Sequence, residues 1–259
     1  MGETRGSFSV SRRRALLMSG GVAAASLSTG ASAAFAIDEH ERTNREPSYR
    51  LSPPSPRTGE FRADVVWRSS NPGIALTFDD GPDPRYTPAL LDNLAENSCR
   101  ATFFVLLDHV NKHPELTRRI AREGHELAVH GADHRDMAQL TPDELAGSMQ
   151  RTKQAITELT GYTPVLMRPP YGRFDAPVLH AATMQRLRMV LWSDYLPGRK
   201  SAAAAERLEA ELSDGAIVLC HDGRGTATQE VVLALEDFVP KCVARGLALR
   251  TVSNLLADA

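Results

Sequence analysis

The chain has 259 residues, 42% hydrophobic and 24% charged, with 30 Lys+Arg against 32 Asp+Glu. This is ordinary globular usage, and the length suits a core of the size found in single barrel domains of roughly 200–250 residues. It excludes a disordered chain, a coiled coil and a multi-span membrane protein, and a formal net charge of −2 gives no electrostatic reason to expect nucleic acid as a partner.

The first predicted segment is a targeting sequence at residues 1–36. It holds Arg5, Arg12, Arg13 and Arg14 against Glu3, a net of +3, which leaves −5 for the rest of the chain. After the arginines no charge occurs until Asp38, and the weakly apolar run ends in Ala31-Ser32-Ala33 and Ala34-Phe35-Ala36. A basic start, a short apolar stretch and small residues before a cut site read as an export signal. The paired arginines and weak hydrophobicity resemble a twin-arginine signal, with Ala15 where such signals favour Phe. Gly and Ser dilute the run below a stable span, so the expectation is a secreted or cell-envelope protein, monomeric and without stable membrane insertion once the signal is removed. Residues 37–62 carry Pro47, Pro53, Pro54 and Pro56 and read as a linker or N-terminal arm. Residues 63–259 form the single folded domain. Cys99, Cys220 and Cys242 are odd in number and read as buried thiols acting as small hydrophobes.

Along that domain short apolar runs at 74–78, 101–106, 126–129, 165–167, 188–192, 216–220 and 248–252 alternate with helical patterns. Thr87-Pro88 reads as an N-cap followed by Pro at the first helical position, and His113-Pro114 as a less ideal pair of the same kind. Thr141-Pro142-Asp143-Glu144 is a capping box that puts Leu145, Met149, Ile156 and Leu159 on one face. Gly124, Gly161 and Gly246 stand where helices end. Seven strand–helix units predict an α/β fold with a parallel sheet closed, or nearly closed, into a distorted barrel. In such barrels reactive groups collect at the carboxyl ends of the strands.

Five polar clusters lie where that rule requires. Asp79-Asp80-Gly81-Pro82 follows the first run, and adjacent carboxylates there need a cation near them or a turn that uses them as caps. His130-Gly131-Ala132-Asp133-His134 follows the third, and two imidazoles at this spacing bind one metal from one side. With one of Asp79 or Asp80 they make a His-His-carboxylate site that keeps an open position, as catalytic metals require. His40, His109, His113, His125 and His180 are read as ordinary polar or surface histidines. Arg168-Pro169-Pro170-Tyr171-Gly172 ends the fourth run, where two prolines stiffen the backbone that presents Arg168 and the Tyr171 N–H. Trp192-Ser193-Asp194-Tyr195 follows the fifth. Leu219-Cys220-His221-Asp222-Gly223 follows the sixth, and strand alternation places Leu219 and His221 on one face with Cys220 on the other.

Taken together, Thr77-Phe78-Asp79-Asp80-Gly81-Pro82, His130-x-x-x-His134, Arg168-Pro169-Pro170-Tyr171-Gly172 and Leu219-x-His221 resemble the polysaccharide deacetylases, the carbohydrate esterase family 4 that shares the nodulation-protein deacetylase domain. Arg100-Ala101-Thr102-Phe103-Phe104-Val105 and Glu123-Gly124-His125-Glu126-Leu127 are similar too, and the resemblance covers roughly residues 64–257. It implies a distorted (β/α) barrel and metal-dependent hydrolysis of N-acetyl groups on an N-acetylglucosamine-containing glycan, of peptidoglycan or chitin type, with release of acetate. It assigns Asp80, His130 and His134 as ligands of one divalent ion, Zn²⁺ first and Co²⁺ or Mn²⁺ as alternatives. It makes Asp79 the general base held by Arg168, and His221 the general acid, its pKa raised by a neighbouring carboxylate, with Asp194 tuning it. Leu219, Trp192, Tyr171 and Pro169 line the substrate pocket. Two departures stand out. Gly131 replaces the usual Ser or Thr, which removes a loop hydrogen bond, and the segment between Trp192 and Asp194 is short. The competing expectations are an acetyl-xylan O-esterase on the same scaffold, a hydrolase of small amides or cyclic ureides, and a non-catalytic carbohydrate-binding protein.

Overall fold

The computed structural model describes residues 63–196 and 201–257; the expected signal at 1–36 and arm at 37–62 lie outside them. Eight strands run β1 (Val65–Val66), β2 (Ala75–Asp79), β3 (Thr102–Val105), β4 (Glu126–Val129), β5 (Leu166–Met167), β6 (Arg188–Val190), β7 (Asp194–Tyr195) and β8 (Ile217–His221). The helices are α1 (Thr87–Glu96), α2 (Leu107–Lys112), α3 (Pro114–Arg122), α4 (Pro142–Thr160), α5 (Ala176–Met184), α6 (Ser201–Glu211), α7 (Thr226–Ala244) and α8 (Val252–Leu256). Every strand pair is parallel, in the order β1-β6-β5-β4-β3-β2-β8-β7. Among the described residues β1 and β7 are the unjoined ends, so the sheet is an open, curled half-barrel rather than a closed ring.

Six of the seven expected runs are strands. The seventh, at 248–252, is not: Leu249 makes one bridge to Ile74, and Thr251 then caps α8 through a bond from the Asn254 N–H at 3.2 Å. Two strands that no apolar run announced, β1 and β7, have two residues each, too few for a periodic pattern to show.

Alternation sorts the barrel into an outer and an inner layer. Leu76, Phe78, Phe103, Val105, Val218 and Cys220 face outward into the helix-packed core, joined there by Leu90, Leu94, Ile120 and Phe238. On the other face Ala75, Phe104, Ala128, Leu166, Val190 and Ile217 point inward. Register then fixes the inner layers, because Ala75, Thr77 and Asp79 lie beside Ile217, Leu219 and His221 across β2 and β8. Near the amino ends of the strands the inner space is filled by Val252 and Leu255 of α8. The Val252 N–H donates to Thr102 Oγ1 at 2.8 Å and the Ser253 N–H to Glu126 Oε2 at 3.1 Å. With that mouth plugged, the carboxyl ends are left for chemistry. The three cysteines are buried and unpaired. No helix among the described residues is long and apolar enough to cross a membrane.

Candidate active site

Asp79 ends β2 as an inward residue, and the chain turns at once: Asp80 has φ 78°. That left-handed step brings the second carboxylate round into the same site instead of the opposite face. His134 and Tyr171 share the strained region, with φ 59° and 61°; each such residue costs about 1–3 kcal/mol and persists where surrounding contacts impose it.

Asp80 Oδ1 lies 3.2 Å from His130 Nε2 and 3.0 Å from His134 Nε2, and the ligand atoms of the three residues all fall within 4.8 Å of one another. His130 Nδ1 is bonded to the Arg168 carbonyl at 2.8 Å. That partner fixes the proton on Nδ1 and leaves the Nε2 lone pair facing Asp80. Asp80 Oδ1 and His134 Nε2 are buried without a hydrogen-bond partner. Two buried acceptors aimed at a common point, beside a third ligand of fixed tautomer, fit a divalent metal ion. Burial alone would raise the Asp80 pKa, but the His130 and His134 imidazoles when they carry a proton, and then Arg224, hold it well below the usual carboxylate range, so it is ionised as a ligand must be.

Arg168 is wholly buried. Its Nη1 donates to Asp79 Oδ1 at 2.7 Å and Thr77 Oγ1 at 2.9 Å, its Nε to the Val190 carbonyl at 3.1 Å and its Nη2 to the Leu191 carbonyl at 2.9 Å. The guanidinium also lies 4.1 Å from the Phe104 ring centroid. A buried charge is tolerable only with bonds of this number and quality. One oxygen of Asp79 is thereby fixed, and Oδ2 lies 3.8 Å from His130 Nε2, next to the metal position.

Tyr171 turns within a short 3-10 segment after Pro169, in which Gly172 and Arg173 donate to Pro169 and Pro170. The Tyr171 N–H stands outside those bonds. The Tyr171 ring lies edge-on to His134 at 4.6 Å and is 56% exposed. Trp192 packs under Gly172, where a Cβ would come within 2.7 Å of the indole. Leu219 is buried on the inner face between Thr77 and Tyr195. The loop bond forfeited at Gly131 is made from another element: Ser148 on α4 accepts from the Ala132 N–H at 2.9 Å. A Cβ on Gly131 (φ 97°) would lie 2.7 Å from Met137 Cε, so glycine is what this loop requires.

Two expectations need correction. Asp194 does not engage His221: its Oδ2 accepts from Ser193 Oγ at 2.6 Å, while the imidazole of His221 stands edge-on to the Tyr195 ring at 5.9 Å. The shortened segment forms strand β7 and carries the carboxylate to its own neighbour. The pKa of His221 is also not raised. Burial pushes it down to about 4, against the attraction of Asp79, and Arg224 acts in the same downward direction. The resting imidazole is neutral.

Two residues of the site had no role assigned from sequence. Asp222 is fully buried and pushed up to about 7 by burial. Its N–H donates to the Asp79 carbonyl at 3.0 Å, its Oδ2 accepts from Thr87 Oγ1 at 2.7 Å, and its carboxylate sits against Gly81, where a Cβ would lie 2.1 Å from Oδ2. It therefore braces the turn that aims Asp79 and Asp80. The bond to Asp222 also explains why Thr87 is the first residue of α1 and not its cap, which is Tyr86. Arg224 places Nε 2.5 Å from Asp80 Oδ2. The available signal was position alone, since both follow His221 at a strand end.

Residues 68–190 match the family model of the polysaccharide deacetylases. The chain is 34% identical over 185 residues to a peptidoglycan-N-acetylglucosamine deacetylase of Bacillus cereus, covering 70% of this chain and 67% of the relative. It is 38% identical over 194 residues to a chitooligosaccharide deacetylase of Rhizobium leguminosarum bv. trifolii, covering 73% and 85%. The peptidoglycan-N-acetylglucosamine deacetylase of Listeria monocytogenes is 32% identical, and the match spans 41% of its length. Among solved structures, the Bc1960 peptidoglycan N-acetylglucosamine deacetylase superposes with a TM-score of 0.71 at 31% identity, covering 74% of this chain and 92% of that one. A family 4 carbohydrate esterase from Streptomyces lividans, in complex with acetate, gives 0.63 at 30% identity, covering 69% and 92%. On these matches the chain belongs to the polysaccharide deacetylases of carbohydrate esterase family 4.

Proposed function

We propose that the protein removes N-acetyl groups from an N-acetylglucosamine-containing glycan of peptidoglycan or chitin type, adding water across the amide and releasing acetate and a free amine. The observation that carries this is the gathering of a buried, Arg-held carboxylate and a neutral histidine, neighbours across β2 and β8, at the Asp80-His130-His134 cluster. A divalent ion held there would polarise the acetyl carbonyl and acidify a water; two borderline imidazoles with one hard carboxylate favour Zn²⁺, with Co²⁺ or Mn²⁺ also admitted.

The chain's own groups divide the remaining work. Asp79, with one oxygen fixed by Arg168, takes the proton of the attacking water at its other oxygen. The Tyr171 N–H receives the developing carbonyl oxyanion, a donor of the kind worth about 2.7–4 kcal/mol in comparable sites. His221 gives a proton to the departing nitrogen. Because it rests neutral, it must first gain that proton during the reaction, and its place beside Asp79 across β2 and β8 provides a partner. Trp192 and Leu219 make the wall that accepts the acetyl methyl, and Pro169 holds the Tyr171 segment extended into its turn.

The reading is tested by acetate release from peptidoglycan, chitin oligomers and acetylated xylan with metal-stripped and metal-restored protein. Release from the first two that disappears on stripping and returns with Zn²⁺ supports it. Release from xylan alone would make the enzyme an O-esterase, and binding without release would make it a carbohydrate-binding protein. We also propose that the protein acts outside the cytoplasmic membrane, on the strength of the Arg12-Arg13 signal pattern. Changing both residues to Lys should retain the protein inside the cell, and unchanged recovery from the culture medium would refute the twin-arginine route.

A further inference from the structure

Arg224 touches the cluster but has no part in the mechanism above. It lies in the loop between β8 and α7, where its backbone N–H donates to Thr228 Oγ1 at 2.8 Å. The same loop presses on Asp80: a Cβ on Gly223 would come within 2.5 Å of the Asp80 carbonyl oxygen. From this anchored backbone the side chain, 43% exposed, reaches Asp80 Oδ2 at 2.5 Å. Asp80 is thus divided, with Oδ1 turned to His130 and His134 and Oδ2 gripped by a cation.

A partner on the outer oxygen of a ligand carboxylate can act in two opposite ways. It can orient the carboxylate, which strengthens metal binding. It can also bring its own charge, and a fixed guanidinium shares the negative charge of the ligand and repels a dication a few ångströms away. The backbone that carries Asp80 is already placed by other contacts, namely its left-handed turn at φ 78°, the Gly81 turn braced by Asp222 and the loop packed at Gly223, so the turn itself does not depend on Arg224. The charge is what remains. We infer that Arg224 weakens, and so sets, the affinity of the site for its divalent ion, keeping the metal exchangeable. This rests on Asp80, His130 and His134 being the ligands.

The test is the dissociation constant of Zn²⁺, measured by competition with a chromophoric chelator in the full chain and its variants. Arg224→Gln should bind Zn²⁺ about tenfold or more tightly than wild type, the size expected from removing a like charge a few ångströms from a dication. Arg224→Lys, which keeps the charge, should stay near wild type. Because the side chain is exposed, the gap between wild type and Arg224→Gln should narrow as ionic strength rises. Equal or weaker binding by Arg224→Gln, or equally tight binding by both variants, overturns the inference. Asp80→Ala separates the two levels: if it keeps wild-type Zn²⁺ affinity the ligand assignment fails, whereas loss there with no effect at Arg224 defeats the present inference alone. Matching thermal unfolding curves in the presence of chelator check that both Arg224 variants are folded.

Discussion

Two adjacent aspartates do different work because one torsion separates them. Asp79 is the last residue of an ordinary strand and meets the buried guanidinium of Arg168 at 2.7 Å. Asp80, one residue on, is in a left-handed turn and meets two imidazoles. Substituting Asp80→Ala or His134→Ala should therefore abolish metal binding and activity together, and metal retained by elemental analysis in either variant would remove that residue from the ligand set. His221→Ala should keep the metal but slow amide hydrolysis by about 10²–10⁴-fold, the usual contribution of a positioned proton donor; turnover at the wild-type rate would end its role as acid. Arg168→Met should cost about 3–5 kcal/mol in chemical denaturation, since it leaves Asp79 as an uncompensated buried charge. At this scale the sequence showed which residue types stand at strand ends but not how the intervening torsions aim them. Asp194 illustrates the gap, because its carboxylate turns to Ser193 and no motif spacing reveals that. Asp222 illustrates the converse, an inner brace whose partners Thr87 and Gly81 are distant in sequence.

Elements were legible in proportion to their length and local chemistry. The capping box of α4 is formed as read: Thr141 Oγ1 accepts from the Glu144 N–H at 3.4 Å and Glu144 Oε2 from the Thr141 N–H at 3.0 Å. Leu145, Met149 and Ile156 are buried beneath it, and Gly161 closes the helix in the left-handed conformation. The run at 248–252 misled because an apolar segment of five residues fits a buried strand and a buried plug equally well. What decides is a polar residue elsewhere. Glu126 is buried on β4 and accepts from Thr102 Oγ1 at 2.8 Å, from Tyr162 Oη at 3.3 Å, and from both the N–H and the hydroxyl of Ser253. This single carboxylate ties α8 into the amino mouth of the barrel. Glu126→Ala should therefore destabilise the fold by at least about 3 kcal/mol, because several buried donors lose a charged acceptor at once. The loss should be read from urea unfolding, and a change below about 0.5 kcal/mol, the size typical of unremarkable surface sites, would show that α8 is held by its other contacts without Glu126.

For the molecule as a whole, acid stability follows from a histidine that takes no part in catalysis. His125 was read as an ordinary polar histidine, yet it is buried and edge-on to Phe103 at 5.6 Å. Its Nδ1 accepts from the Ala101 N–H at 3.2 Å, a bond that only the unprotonated nitrogen can make. Burial foremost, then the charge of Arg100, pushes its pKa from 6.5 down to about 4. The folded state therefore refuses a proton that the unfolded chain accepts, so the contribution is fully present above pH 6.5 and is lost as pH falls toward 4. Across that interval it amounts to about 3 kcal/mol at 1.36 kcal/mol per pH unit. Asp222 opposes it. Raised from 3.8 to about 7, it binds its proton more tightly when folded, so its contribution is present below pH 3.8 and is lost as pH rises to 7. His221, also pushed down to about 4, has the same slope as His125, so a simple pH scan would sum all three and isolate none. Comparison with His125→Asn in chelator-treated protein separates them, since Asp222 and His221 are common to both chains. The variant should be less stable than wild type at pH 7.5, and the difference should shrink by about 3 kcal/mol as the pH is lowered to 4. Urea unfolding at four pH values measures this directly, and a difference that stays constant across the range would show that His125 supports the fold by packing and not by its suppressed charge.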